Sequence, residues 1–288
     1  MMGVPTHLTT SVEKVVQPKI QLFREWGIEG EHLVNVLTNS PRILICSVEQ
    51  DLLPKMLLLL KVFQSQDLFL KTVLKNPVIL THNLEKTLKP SLAFWERYGF
   101  NEMELARLIG SRLSLLQYSS LTPAKDDIFN KIGIDKGSKM YEYVLITLVT
   151  NPIERLHAII NNLQQCGLSD EEGFQLLRVF PKTLGLRKES VREKMDFIVN
   201  KMELPANSVV SYPQFLTTNL ERVMKPRFLV WRTMKSMYGR KHHNGLSLHG
   251  IMFMSEKKFL SDVLKGRPVL YSVYEMAMAN VSEVSSTG

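Results

Sequence analysis

Helix-ending residues recur along this chain at nearly constant intervals, and no other feature limits its fold as tightly. Gly27, Phe63, Gly99, Gly133, Gly167, Glu203 and Gly239 stand 36, 36, 34, 34, 36 and 36 residues apart. Five of these seven positions are glycine in a chain with only 15 glycines among 288 residues, so the spacing is not incidental. Pro18, Pro54 and Pro90 precede the first three by nine residues, and Pro41, Pro77 and Pro181 follow Gly27, Phe63 and Gly167 by fourteen. The stretch "YPQFLTTNLERVMKP" repeats the ladder with Pro213, Leu216, Leu220 and Pro226. A fixed period of this size marks a solenoid of repeated supersecondary units.

Each unit reads as helical. The stretch "PSLAFWERYG" suits a helix with proline in its first turn and glycine at a left-handed C-cap. If the helix starts earlier, near Asn83, Pro90 lies inside it and must kink it. A second helix follows with its own start signal: Asn101 with Glu104 three on, and Ser169 with Glu172. Apolar residues then recur at three and four, as in Leu105, Leu108 and Ile109, giving one buried stripe. A closing "PxxL" segment predicts a short third turn whose leucine plugs the layer. No stretch alternates with period two, so the fold class is all-α. A helix pair of this size cannot bury its face alone, which makes stacking on neighbours obligatory and the prolines and glycines architectural. The middle units are worn: Leu113 replaces the proline before Leu116, and Ala124 stands nine before Gly133. Residues 1–17 read as an N-terminal segment, 18–268 as the repeat domain with a basic part at 178–268, and 269–288 as a C-terminal tail expected to fray, its last stretch "ANVSEVSSTG" being small and polar.

Composition narrows the function classes. Apolar content of 44% and charged content of 22% are ordinary for a soluble globular chain. The longest apolar run, Met56 to Leu60, ends at Lys61, far short of the ~20 residues that span a bilayer. Cys46 and Cys166 are far apart in unrelated contexts, which favours a reducing compartment over a disulfide framework or thiolate metal site. The first residues, "MMGVPTHLTTSVEKVVQPK", hold no apolar signal core, no arginine before Arg24, and Glu13, so neither a secretory signal nor a transit peptide is evident. The net charge of +8 is uneven. Residues 178–268 hold 18 Lys+Arg and 7 Asp+Glu, a net of +11; the remainder holds 18 and 21, a net of −3. Positive charge concentrated in one third of a chain points to a polyanionic partner.

Catalytic constellations are missing. "GIDKGSK" has the wrong spacing for a P-loop, and no GxGxxG follows a strand. "GLSLHG" is one residue out of register for a nucleophile elbow and has no sheet to sit on. His242, His243 and His249 form the one histidine cluster, in basic, loop-like surroundings without the carboxylate or thiolate partners of a metal site. Asp126–Asp127 and Asp170–Glu171–Glu172 sit at helix starts, where they favour the macrodipole. Nothing here suggests an enzyme, a cofactor or a bound metal.

The segment "LSDEEGFQLLRVFPKTLGLRKESVREKMDFIVNKMELPANSVVSYPQFLTTNLERVMKPRFLVW" resembles plant-type mitochondrial transcription termination factor (mTERF) proteins, whose repeats end in a "PxxL" turn. "SEKKFL" resembles the closing motif of plant members. The likeness covers roughly residues 18 to 268 and is strongest from 167 to 262; Glu203 in place of glycine and the "RKHHNG" loop depart from it. The resemblance implies a left-handed superhelical solenoid of 34–36-residue units, each two helices plus a short third, whose concave basic groove holds duplex nucleic acid. It also implies a plastid or mitochondrial location and a role in transcription termination or regulation, with intron splicing or ribosome assembly as alternatives.

In such a groove lysine and arginine meet phosphates, which gives affinity with a steep salt dependence and little sequence information. The candidates are Arg178 and Lys182 around Pro181; Arg187, Lys188, Arg192 and Lys194; and Arg222, Lys225 and Arg227 around Pro226, followed by Arg232 and Lys235. Tyr212, Phe215 and Trp231 suit core packing first and stacking on an unpaired base second. The expected partner is double-stranded DNA or structured RNA, and the chain is read as a monomer. A competing class is a protein-binding scaffold of the HEAT or armadillo kind, for which the charge is incidental.

Overall fold

The computed structural model describes residues 6–238 and 247–286, and among them every regular element is helical. Gly239, His242 and His243 lie outside the described residues. The chain divides into two compact units, Met1–Thr122 and Pro123–Gly288.

The first unit holds α1 (Thr6–Glu25), α2 (Gly30–Asn39), α3 (Leu53–Phe63), α4 (Gln66–Lys75), α5 (Leu84–Arg97) and α6 (Glu102–Ser111). Short 3-10 turns, Pro41–Ile45, Pro77–Thr81 and Leu113–Gln117, close its three repeats. The second helices stack in order, α2 on α4 and α4 on α6. Their facing stripes are Leu33 and Val36, then Phe69, Thr72 and Val73, then Leu105, Ala106, Leu108 and Ile109. Gly110 permits the close approach of α6 to α4, since a Cβ there would lie 2.7 Å from Thr72 Oγ1. The expected plugging leucines Leu80 and Leu116 are buried, and so is the residue before each, Ile79 and Leu115.

The second unit holds α7 (Pro123–Ile132), α8 (Tyr141–Thr150), α9 (Ile153–Gln165), α10 (Asp170–Val179), α11 (Lys188–Asp196), α12 (Ser208–Ser211), α13 (Lys225–Tyr238), α14 (Leu248–Phe253), α15 (Glu256–Lys258) and α16 (Pro268–Ser286). Pro181–Gly185 and Pro213–Leu216 are its 3-10 turns, and Leu184 and Leu216 are buried in them. In the worn fourth repeat α8 buries Val144 through Val149 in succession, and Pro152 precedes α9 where a closing turn would stand.

Three expectations need correction. The internal prolines do not all open their helices: Pro54 and Pro226 stand second in α3 and α13, but Pro18 lies inside α1 and Pro90 inside α5, whose N-cap is Asn83, the earlier of the two starts the sequence offers. Pro54 and Pro226 each follow a π-helical turn, Val48–Leu52 and Leu220–Met224, capped by Ser47 and Asn219. A wider turn already interrupts the i→i−4 ladder that a proline ring would otherwise clash with. Second, Phe63 does end α3 but as a core residue, and the left-handed turn falls on Gln64 after it at φ +49°. Gly27, Gly99, Gly133 and Gly167 do turn with positive φ, and Glu203 adopts +56° in glycine's place. Third, the segment from 269 does not fray where described. It enters α16, whose Leu270 and Tyr274 are buried with Val230 and Met234 of α13 and with Phe259, Val263 and Leu264. Both expected capping boxes are present, Asn101 with Glu104 and Ser169 with Glu172.

Candidate nucleic-acid interface

The closing turns and the helix starts after them carry the cations of the second unit. Lys182 is exposed on the turn after α10, Arg187 is the exposed N-cap of α11, and Lys188 is its exposed first residue. One repeat later Asn219 caps the next helix by accepting from Arg222 N–H at 2.8 Å, and the Arg222 side chain is exposed. Lys225 is exposed and pairs with Glu221 at 2.5 Å, an i,i+4 contact worth only a few tenths of a kcal/mol. Arg232 is exposed, and Lys235 lies 4.9 Å from the centre of the Trp231 ring. The two helix starts also present N–H groups that favour an anion.

Two candidates do not face solvent. Lys194 is buried and donates to Leu216 O at 2.7 Å, tying α11 to the turn that closes its own repeat. Burial pushes its ammonium below the ordinary lysine range, with Glu193 pulling the other way. Arg227 is 3% exposed and donates through Nη1 to Ile251 O, Met252 O and Met254 O at 3.1, 3.1 and 2.6 Å. Its Nη2 bonds Glu256 Oε2 at 2.7 Å, and its guanidinium lies 4.7 Å from the Phe259 ring centre. Tyr274 O–H completes the cluster on Glu256 Oε1 at 2.6 Å. Burial, and then the Glu256 contact, push the Tyr274 hydroxyl up to about 12. Burial alone would raise Glu256, but the bonds from Tyr274 and Arg227 and the nearby charge outweigh it and hold the carboxyl below its usual range. The "SEKKFL" residues thus have structural work: Ser255 caps α15, Glu256 receives Arg227, and Phe259 is core.

Two further candidates are exposed but partly occupied. Arg178 Nε donates to Ile132 O at 2.5 Å, capping the C-terminus of α7 beside Gly133. Arg192 Nη2 donates to Gln165 Oε1 at 2.9 Å.

A feature the sequence shows but the reading above missed lies one residue past each internal proline: "PKI", "PKM", "PSL" and "PRF" place Lys19, Lys55, Ser91 and Arg227 there. Lys125 follows Ala124 in the same slot. Ser91 Oγ donates to Leu115 O at 3.2 Å and Lys125 Nζ to Val149 O at 3.4 Å, so these two, like Arg227, tie the first helix of a repeat to a carbonyl well beyond it in sequence, whereas Lys19 bonds Val15 O at 2.8 Å and Lys55 pairs with Asp51, each within its own helical stretch.

Among the aromatics, Phe215 is fully buried and Trp231 is half-buried, stacked on Phe228. Tyr212 is 37% exposed and stacks on His249 with ring centres 3.6 Å apart. Burial lowers the His249 pKa, and its buried Nε2 has no hydrogen-bond partner. Among the described residues no three His, Cys, Asp or Glu side chains converge as metal ligands, and no helix is long and apolar enough to cross a membrane.

The mTERF family model matches residues 20–140 and 96–260. The sequence is 22% identical over 229 residues to the chloroplastic transcription termination factor MTERF8 of Arabidopsis thaliana, covering 78% of this chain and 45% of that protein. It is 20% identical over 268 residues to the mitochondrial transcription termination factor MTERF15 of the same plant, covering 91% of this chain and 58% of that protein. The chain spans about half the length of these relatives.

Proposed function

The chain belongs to the mTERF family, and from that premise we propose that it is a nucleic-acid-binding regulator of transcription in a plastid or mitochondrion, without catalytic activity of its own. The observation that carries this reading is the repetition of exposed cations on successive repeats: Lys182, Arg187 and Lys188 after α10, then Arg222 and Lys225 after the next closing turn. Cations grouped at the helix start of each of two successive repeats suit a polymer whose phosphates also recur. Lysine and arginine there neutralise phosphates and release counterions, while helix N-termini add N–H donors. The repeats would wind as the left-handed superhelix of the family, with these cations on its inner wall. Double-stranded DNA is the first expected ligand and structured RNA the second; one copy suffices for the contacts described. Lys194 acts in this scheme by holding the Pro213–Leu216 turn that leads to Arg222, and Arg227 by fastening the end of α14 and the start of α15 to α13.

Titration of the whole chain with duplex DNA, duplex RNA and single-stranded RNA at 50 and 200 mM salt tests the proposal. About six phosphate contacts would lower the affinity by roughly a thousandfold across that range. Binding no tighter than that of a neutral control protein, or binding indifferent to salt, would refute it.

A further inference from the structure

α3 is apolar on nearly every side. Its run Met56–Leu60 sends Met56 and Leu59 into the core with Phe63, but leaves Leu57 52% exposed and Leu58 half-buried, with Val62 beyond them also half-buried. A helix apolar all round needs cover all round, and α4 and α6 supply it on one side. Along another side runs a trough of about 630 Å³, walled by Leu58 and Val62 of α3 and by Leu88 and Leu92 of α5, with Leu105 of α6 at its base. A cavity of about 260 Å³ continues it toward Asp51, Thr81 and Asn83, sharing Pro54, Leu58 and Leu84. From Gln50 to Gln64 the combined trough follows about 14 residues, roughly 20 Å of helix.

Charge is ordered along this trough. Asp51, paired with Lys55, stands at one end; Lys89 of α5 rims the middle and Lys61 of α3 lies one turn short of the other end; Glu96 and Glu102 stand at that end, where Gln64 Nε2 donates to Glu102 Oε2 at 2.5 Å. A polyanion would be repelled by those carboxylates and would gain nothing from the leucines. A small apolar ligand would leave the charged rim unused.

We propose that this trough docks an amphipathic helix of a partner protein. An apolar stripe at i, i+4 and i+7 packs between the walls. An acidic residue near the middle of the guest meets Lys89. A basic first turn, together with the positive end of the guest's macrodipole, lies at Glu96 and Glu102, so the guest runs antiparallel to α3 and α5. The site lies wholly within the first unit and does not depend on the nucleic-acid reading, whose candidate residues are all in the second.

The test uses the whole chain and a displayed library of 14-residue helices with a fixed apolar stripe and randomised remaining positions. Selection on the wild-type protein is followed by counter-selection on a Leu58→Glu, Leu92→Glu variant, both half-buried positions, with helicity checked by circular dichroism. Selected peptides should lose at least about tenfold in affinity for that variant. Their consensus should carry Lys or Arg in the first turn and Asp or Glu near the middle, and a Glu96→Lys, Glu102→Lys variant should invert the first-turn preference. Peptides indifferent to the trough variant, or a consensus indifferent to the charge swap, would overturn the proposal. So would a concentration-dependent dimer dispersed by Leu58→Glu, which would assign the trough to a second copy. Loss of duplex binding in the trough variants would instead assign it to nucleic acid; unchanged duplex binding keeps the two proposals separate.

Discussion

Next to the proline of a closing turn the two units match, with exposed Arg42 in the first and Lys182 in the second, but at the helix start that follows the first has Ser47 and Val48 where the second has Arg187 and Lys188. Ile45, 81% exposed, ends the first unit's opening turn, whereas the exposed Gly185 ends the turn beside Lys182. The slot that ties a repeat together also differs in strength. In the first unit Ser91 makes one neutral hydrogen bond; in the second Arg227 makes three carbonyl contacts and an ion pair. One scaffold thus carries two surfaces, because buried positions set the stack while positions between them are free to be apolar or cationic. The stronger tie sits in the unit that holds charge at its surface.

The comparison breaks most readily at the ties. Arg227→Met should destabilise the second unit by about 3 kcal/mol, since it leaves Glu256 without its ion pair and several carbonyls without a donor. Ser91→Ala should cost the first unit only about 1 kcal/mol. Denaturant titrations followed through Trp231 in the second unit and through Trp26 and Trp95 together in the first distinguish the two; equal losses would mean the slots are equivalent. On the surface, Arg222→Ala with Lys225→Ala should weaken duplex binding by about tenfold for every sequence and flatten the salt slope by about one to two units. Lys86→Ala with Lys89→Ala in the first unit should leave duplex affinity nearly unchanged, and a comparable loss there would erase the contrast. Smaller effects sharpen the shared part of the design. Glu203→Gly and Gln64→Gly should each raise stability by roughly 0.5 kcal/mol, as relief of left-handed strain outweighs glycine's extra freedom in the unfolded chain. Calorimetry that showed a loss at either site would contradict the strain.

The smallest expected effect concerns acid. The Glu256 carboxyl is held below its ordinary range in the fold, so its contribution is present above the unfolded pKa and is lost as pH falls through the folded one. Stability of the second unit should therefore decline below about pH 4.5, and Glu256→Gln should flatten that limb of the curve. The Ser91 tie should show no such dependence.

Repeat length, helix pairing and capping were legible because they rest on local chemistry: Asn101 and Ser169 announce their helices by spacing alone. Helix starts ahead of the prolines were not, because a proline reads as a beginning unless the polar cap seven residues ahead of it, Ser47, Asn83 or Asn219, is given precedence. The fates of Lys194 and Arg227 were hidden for a different reason. Net charge treats every cation alike, and only the recurrence of a donor after each proline separates a structural arginine from a displayed one. The apolar surplus of "MLLLL" was visible, but the side left uncovered depends on where α5 runs.

The π-helical turns carry one more consequence. Eight residues separate Ser47 from Lys55 and Asn219 from Arg227, where such a turn intervenes, and eight also separate Asn83 from Ser91, where none does. The wider turn thus leaves the spacing from cap to inward-facing slot as it is, so the phase of the helix beyond each proline does not depend on whether the turn is there.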